Sequence, residues 1–495
     1  MENKGKRKII EFVMEKLQDL FYNLQDIVSE LKFRHRKAVK AKQRLKKKMS
    51  AEEYQAYCKK ERTRQLTILG IAAGAILLLI LLFTGMSHLI RSLKNGSSAQ
   101  PETSTELLSE SESEEIYPEK TITIGSTGSM LLHSPFIDSY PDAEGNYDFS
   151  SVYTYIKSYY SKPDFMTCEF EGALGGENLG YSGYPSFKSP DVIIENLKDA
   201  GIDLQMLACN HIYDGWSGAF QRTMDVYDEK GISYTGIRQN ANDKQYYIAN
   251  INGVEVGFIN YTYETTTQTE ELGYGSDKSI NGLVMEKEDA QRLNSFDYEK
   301  LPEFYAELEN NVYRMKQEGA RFIIAQMHWG TEYQLQESDV QREMAQKMCE
   351  IGVDALIGGH PHCEQPIDLF QTADGSHDMF CIFSEGNALS NQRTYLMQED
   401  MPGGYTEDGV MITLTLHQHS SGEVKITDVD LLPTWVYRFE NNGSKYYILP
   451  LDNVDGLEEL TGISGLREEA AASYERTMEV LGEGWKKTKS YFSAF

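Results

Sequence analysis

Residues 66–90 read LTILGIAAGAILLLILLFTGMSHLI, a run without one charged side chain. At 1.5 Å per helical residue it is long enough to cross a hydrocarbon core of about 30 Å. A buried core helix is the competing reading, but core helices rarely run this far without a polar face. A cleaved secretory signal fits poorly: the run starts after 65 residues, is too long, and is followed by no obvious small-residue cleavage site. The run predicts a single retained transmembrane helix, and everything else is read relative to it.

Charge divides at the same place. Residues 1–65 carry 19 Lys and Arg against 9 Asp and Glu, net +10, whereas residues 66–495 carry 29 against 66, net −37. Arg62 and Arg64 precede the run and follow a basic stretch over 42–60, so the positive-inside rule predicts a cytoplasmic N-terminus, a single pass through the cell membrane and an extracellular C-terminal part. So acidic a balance argues against a nucleic-acid partner. The six cysteines, at 58, 168, 209, 349, 363 and 381, form no CxxC pair and are too sparse for a disulfide framework. They read as small buried apolar residues.

The organisation expected is a basic cytoplasmic helical region (1–65), the transmembrane helix (66–90), a Ser/Glu-rich linker (91–119), an α/β domain (120–435) and a mostly helical C-terminal extension (436–495). In the first region Ile10, Val13, Leu17, Leu20, Leu24, Ile27 and Leu31 recur at 3–4 spacing. That pattern suits self-association through residues 9–31 as a short coiled coil. Phe12, Phe21 and Val28 widen the stripe, so an amphipathic helix on the anionic inner leaflet suits it equally. In the α/β domain strands are expected near 121–125, 164–168, 203–208, 254–260, 321–327, 354–357 and 379–384. Helices are expected over 190–201, 216–230, 302–319 and 338–351, the last burying Val340, Met344, Met348 and Ile351. Residues 264–298 read as an inserted surface loop, the segment after 405 as a hairpin turning at 420–422, and 456–490 as helical cover.

Four apolar runs end directly in polar clusters: DFMTC in Glu169-Phe170-Glu171, DLQMLA in Cys209-Asn210-His211, RFIIAQM in His328-Trp329-Gly330, and DALI in Gly358-Gly359-His360-Pro361-His362. Each alone has an ordinary reading as a solvated acid, a turn Asn, a capping His or a surface HxH. In open α/β sheets, however, ligands bind beyond the carboxyl ends of the strands, so the four clusters are expected to converge. A carboxylate, an Asn and three His form a donor set for a divalent Mn, Fe or Zn ion, and phosphoryl or acyl hydrolysis is the chemistry such a site serves.

The order Asn210-His211, His328, Gly359-His360-Pro361-His362 resembles the calcineurin-like metallophosphoesterase superfamily. More closely, the segments DFMTCEFEGAL (164–174), LACNHIYDGW (207–216), MHWGTEY (327–333), IGGHPHCEQPI (357–367) and FSEGNALS (383–390) resemble the CapA family of capsule and poly-gamma-glutamate synthesis proteins, over roughly 121–435. The resemblance implies a metallophosphatase-like α/β/β/α sandwich with a two-metal centre. Glu171 would bridge the ions, Asn210, His328 and His360 would complete one, and His362 would join the other. His211 would protonate the leaving group, with Asp214 and Glu332 in supporting motif positions. Two positions depart from the family pattern. Ser129, in Thr127-Gly128-Ser129-Met130-Leu131, stands where members carry Asp, and Glu169 stands where Asn is usual. A hydroxyl is a poor metal ligand, so the expectation is one well-formed metal site and a weak or lost second one.

Two function classes follow. One is a membrane-anchored, metal-dependent hydrolase or transferase acting on a surface phosphoester or polymer end. The other is a non-catalytic assembly or export factor that meets surface polymer, or polymer-synthesis proteins of the membrane, through the same crevice.

Overall fold

Runs such as FMTCEF, FIIAQMH and ALIGG are apolar on both faces, the mark of strands covered on each side. A computed structural model of the chain describes residues 116–265 and 278–494, all within one compact unit, Glu112–Phe495. In chain order the strands of its two large sheets begin with β1 (Lys120–Met130), β2 (Phe165–Phe170), β3 (Leu204–Met206), β4 (Ser233–Thr235) and β5 (Tyr246–Ile251). Next come β6 (Val254–Tyr263), β7 (Ser295–Phe296), β8 (Phe322–His328), β9 (Ala355–Gly359), β10 (Glu364–Gln371) and β11 (Asp378–Glu385). The last four are β12 (Asn387–Leu389), β13 (Asp408–Gln418), β14 (Val424–Glu440) and β15 (Ser444–Pro450). The first sheet has the order β15-β14-β13-β1-β2-β3-β4, with β12 also paired to β1. The second has the order β7-β6-β8-β9-β11-β10, with β5 on β6.

In each sheet the central strands are parallel; the antiparallel portion lies to one side in the first and on both sides, β10 with β11 and β5 with β6, in the second. Alternation along the strands sets the layers. Ile122, Ile124, Leu204 and Met206 of the first sheet share one apolar core with Val256, Phe258, Phe322, Ile324, Ala355 and Ile357 of the second. Met166, Cys168 and Phe170 face the other way, onto helices α1 (Val192–Ala200) and α2 (Trp216–Lys230) through Ile193, Leu197, Phe220 and Met224. Ile323, Ala325, Met327 and Leu356 likewise meet α3 (Leu301–Gln317) and α4 (Asp339–Ile351). Helix α4 opens on a capping box, in which the Ser338 hydroxyl accepts the Gln341 N–H and the Gln341 side chain accepts the Ser338 N–H at 3.0 Å.

The strand and helix positions follow the sequence reading closely, with three differences. Val340 is exposed and Ile351 only half-buried; the buried face of α4 is Gln341, Met344, Ala345, Met348 and Cys349. Among the described part of 264–298, Ser279, Ile280, Met285, Asn294 and Phe296 are buried, and β7 joins the second sheet. This stretch is therefore not a surface loop, because its apolar residues pack under the sheet edge. Position 435 lies inside β14, and β15 completes the first sheet before the long helix α5 (Arg467–Phe492) closes over both sheets with Leu481 and Phe492 in their shared core. Cys168, Cys209, Cys349, Cys363 and Cys381 are buried and free.

Among the described residues no helix is long and apolar enough to cross a membrane. The expected transmembrane helix at 66–90, the N-terminal helical region and residues 91–115 of the linker lie outside the described residues.

Candidate metal centre

Parallel strands from the two sheets deliver their carboxyl ends to one place. Glu169 and Glu171 come from the end of β2, Asn210 and His211 from the loop after β3, His328 from the last position of β8, and His360 and His362 from the turn after β9. Asn260 on β6 ties the sheets together beneath them, its amide oxygen accepting the Ala208 N–H at 2.6 Å.

Glu171, His328 and His360 are fully buried and offer one donor atom each within 4.8 Å of one another. Asn210 Oδ1 lies 3.0 Å from His328 Nε2, and Glu171 Oε1 lies 3.9 Å from that nitrogen and 3.8 Å from His362 Nε2. The five positions named from strand ends, 171, 210, 328, 360 and 362, thus share one locus. His360 and His362 both have positive φ, +96° and +58°. Non-glycine residues held in that region store backbone strain, which concentrates at functional sites.

Orientation comes from a surrounding set of hydrogen bonds. His328 Nδ1 lies 2.7 Å from Glu169 Oε1, and the Ser129 hydroxyl donates to Glu169 Oε2 at 2.7 Å. Ser129 therefore serves Glu169 rather than standing free as a ligand. Gly359 is required beside this pair, since a Cβ there would come within 2.3 Å of Glu169 Oε2. His362 Nδ1 lies 3.1 Å from Asn387 Oδ1, and Asn387 in turn donates to the carbonyls of His362 and Thr406. His211 Nδ1 lies 2.7 Å from Asp214 Oδ2, which also accepts the Phe187 N–H at 2.6 Å. Tyr263 stacks parallel to His328 and packs against His360. Glu332 is half-buried at the rim and acts through its charge on His211 and His362.

Burial dominates the ionisation of the cluster. It pushes Glu171 up to about 8, against the nearby His211 and with the help of Glu169. It pushes Glu169 up to about 7, against the Ser129 hydrogen bond. Burial and neighbouring imidazoles hold His328 and His360 well below the usual histidine range, so both rings are neutral. For His211 burial works the same way, but the Asp214 hydrogen bond and the Glu171 charge outweigh it and raise the group.

These residues fit a divalent cation. Both carboxylate oxygens of Glu171 and Nδ1 of His360 are buried without a hydrogen-bond partner among the described residues. A buried carboxylate left unpaired is costly, and a cation is the partner it lacks. With the Nδ1 proton of His328 on Glu169, the lone pairs of His328 Nε2 and Asn210 Oδ1 face each other at 3.0 Å, which a shared cation relieves. Neutral imidazole, amide oxygen and carboxylate are donors for Mn, Fe or Zn. Glu169, by contrast, has one oxygen on Ser129 and the other on His328.

One participant is not singled out by sequence: Asn387 orients His362 from the end of the polar run Glu385-Gly386-Asn387.

The model of the bacterial capsule synthesis protein PGA_cap family matches residues 123–392. The chain is 24% identical over 251 residues to the capsule biosynthesis protein CapA of Bacillus anthracis, spanning 50% of this chain and 55% of that one. It is 19% identical over 328 residues to the PGA biosynthesis protein CapA of Bacillus subtilis (strain 168), spanning 64% of this chain and 73% of that one. Among solved structures, the Termus thermophilus Sulfate thiohydrolase SoxB in complex with glycerol aligns with 72% of this chain and 60% of that one, at 9% identity and a TM-score of 0.32, too slight a likeness to bear weight. With more than half its length matched by the family model, the chain belongs to the bacterial capsule synthesis protein PGA_cap family, within the metallophosphoesterase-like superfamily.

Proposed function

We propose that this protein is a membrane-anchored factor of capsule or poly-gamma-glutamate production whose metallophosphatase-like α/β/β/α domain holds one divalent cation and hydrolyses a phosphoester at the cell surface. The observation that carries the reading is the buried Glu171, His328 and His360 cluster, with the Glu171 carboxylate unpartnered. Glu171, Asn210, His328 and His360 would hold the ion, with His362 at its edge. When bound, a divalent cation supplies Lewis acidity, polarising a phosphoryl oxygen and bringing water into the hydroxide range near neutrality.

The chain's own residues do the rest. Asp214 accepts from Nδ1 of His211, which leaves Nε2 as the atom that carries a proton to a leaving group. Glu169 and Asn387 fix the rings of His328 and His362, and Ser129 fixes Glu169. The uncharged run at 66–90 and the charge boundary beside it support anchoring with the N-terminus in the cytoplasm, and the 3–4 spacing over 9–31 supports self-association or a membrane-synthesis partner.

A second reading, a polymer assembly or export factor with a degenerate centre, is favoured by one observation: Ser129 and Glu169 are engaged with each other and with His328, which turns both away from a second ion. Metal analysis and aryl phosphate hydrolysis by the full chain separate the two. The hydrolase reading expects one tightly held ion per chain and turnover that His328→Ala abolishes together with the ion. One bound ion with no turnover under Mn, Fe or Zn would leave the assembly reading, and no bound ion would overturn the centre itself.

A further inference from the structure

A cavity of about 360 Å³, lined by none of the candidate metal ligands, opens beside β7 and α3. Its volume is that of a small-molecule site. Arg238 in its wall is unusual. Among the described residues two arginines are buried; Arg393 is paired with Glu407, whereas no carboxylate lies within ion-pair distance of Arg238. The Arg238 guanidinium donates only to neutral oxygens: Asn294 Oδ1 at 2.7 Å, the Ala241 carbonyl at 3.4 Å and the Gln291 carbonyl. A buried charge with neutral partners alone is costly, and an anion is the partner it lacks. Those three bonds leave N–H groups of the fork to meet one.

The stretch that holds Arg238 also holds a second cation of the same wall. Lys278 Nζ donates to the Leu293 carbonyl at 3.4 Å, between the Gln291 and Asn294 oxygens that Arg238 binds, and lies 3.5 Å from Glu264 Oε1. Burial lowers the Lys278 ammonium from its ordinary range, against Glu264 and Glu307, and the charge of Arg238 adds to the shift. Two like charges facing one opening, with one carboxylate between them, are relieved by an anion seated there. The cavity holds an acid as well. Glu307 of α3 accepts from Gln245 at 2.9 Å and from the Tyr261 hydroxyl at 3.1 Å, both on Oε1, and its Oε2 has no hydrogen-bond partner among the described residues. A ligand that complements these walls carries both signs of charge.

We propose that this cavity binds a small zwitterion of the amino-acid class, its carboxylate at Arg238 and Lys278 and its ammonium at Glu307. The site is separate from the metal centre and does not rest on the hydrolase reading.

The test uses the full chain and three probes of matched size: L-alanine, propionate and propylamine. Calorimetry is expected to show L-alanine binding, propionate binding about tenfold more weakly for want of the ammonium, and no heat with propylamine. Arg238→Gln is expected to weaken L-alanine about tenfold or more, the size of one hydrogen bond to a charged group. Because Arg238 also ties residues 291 and 294 to this edge, two further variants are read beside it. Lys278→Gln is expected to weaken L-alanine and propionate alike, whereas Glu307→Gln is expected to bring L-alanine down to the affinity of propionate and leave propionate no weaker. An unsubstituted chain that binds no L-alanine, propionate bound as tightly as L-alanine, or L-alanine affinity unmoved by Lys278→Gln and Glu307→Gln would each overturn the proposal, and none of them touches the reading of the metal centre.

Discussion

Ser129 and Glu169 make sense only as a pair. Where the resemblance implies Asp and Asn, this chain has Ser and Glu, and its one carboxylate sits across a 2.7 Å hydrogen bond, at the end of β2 rather than of β1. From its new position Glu169 holds the His328 ring instead of facing a second cation. Ser129→Asp alone would set two carboxylates together at full burial, and is expected to lower stability by about 3 kcal/mol, as an uncompensated buried charge does. Adding Glu169→Asn removes the conflict and gives the Asp and Asn pair that the resemblance implies, so the double variant is expected to regain stability and bind a second ion. Denaturant unfolding and metal counting check both; a stable single variant, or a double variant still holding one ion, would refute the exchange. Gly359→Ala tests the same hydrogen bond from the other side. Its Cβ would displace the Glu169 carboxylate, and metal affinity is expected to drop about 10- to 100-fold with the fold intact, the usual cost of losing the group that orients a ligand.

At the scale of elements, α5 shows how a late segment completes an early core. Thr477 donates to Glu364 at 3.0 Å, while Ser473 and Arg476 both bind the buried Asp408. The helix lies so close to β10 that a Cβ on Gly484 would come within 1.9 Å of the Ile367 carbonyl. Alanine is the better helix former by about 1 kcal/mol, yet Gly484→Ala is expected to destabilise the protein by about 2 kcal/mol through overpacking, measurable by denaturant unfolding; a more stable variant would mean the contact is loose. The same elements mark how far sequence reaches. The strands that carry ligands were legible because apolar runs break abruptly at Glu171, Asn210, His328 and His360, and chain direction alone then puts those ends on one side. The pairing of β15 with β14 was not, since antiparallel pairing is a tertiary fact that the short run at 444–450 does not advertise. The exposure of Val340 was missed because the stripe on α4 was drawn one residue out of phase: Gln341 is buried in its place, its polar end held by Ser338 and Gln365.

Over the whole molecule, the 29 cations and 66 anions from residue 66 onward keep polyanions at a distance, so an anionic substrate is admitted only where a cation offsets that field. The interior repeats the pattern. Burial pushes Glu169 to about 7 and Glu171 to about 8, raises Glu364 and Glu385 well above the usual carboxylate range, and is outweighed at His211, which is raised as well. Unfolded, the glutamates titrate near 4.5 and the histidines near 6.5. Between pH 6.5 and 8, therefore, the raised carboxyls give the metal-free folded state more protons than the unfolded state; His328 and His360, neutral when folded, offset this only toward pH 6.5, where the unfolded imidazoles are still partly protonated. Stability then falls as pH rises, each acid held protonated contributing up to about 1.4 kcal/mol per pH unit. A bound cation reverses the sign at Glu171 by selecting its ionised form, and adds about 2.7 kcal/mol at a hundredfold excess over Kd. The unfolding midpoint of the EDTA-stripped chain is expected to drop from pH 6.5 to 8, whereas that of the zinc-loaded chain stays level or climbs. A stripped chain that grows more stable over this interval would show that the buried carboxylates are already paired, and would remove the physical reason for a cation among them.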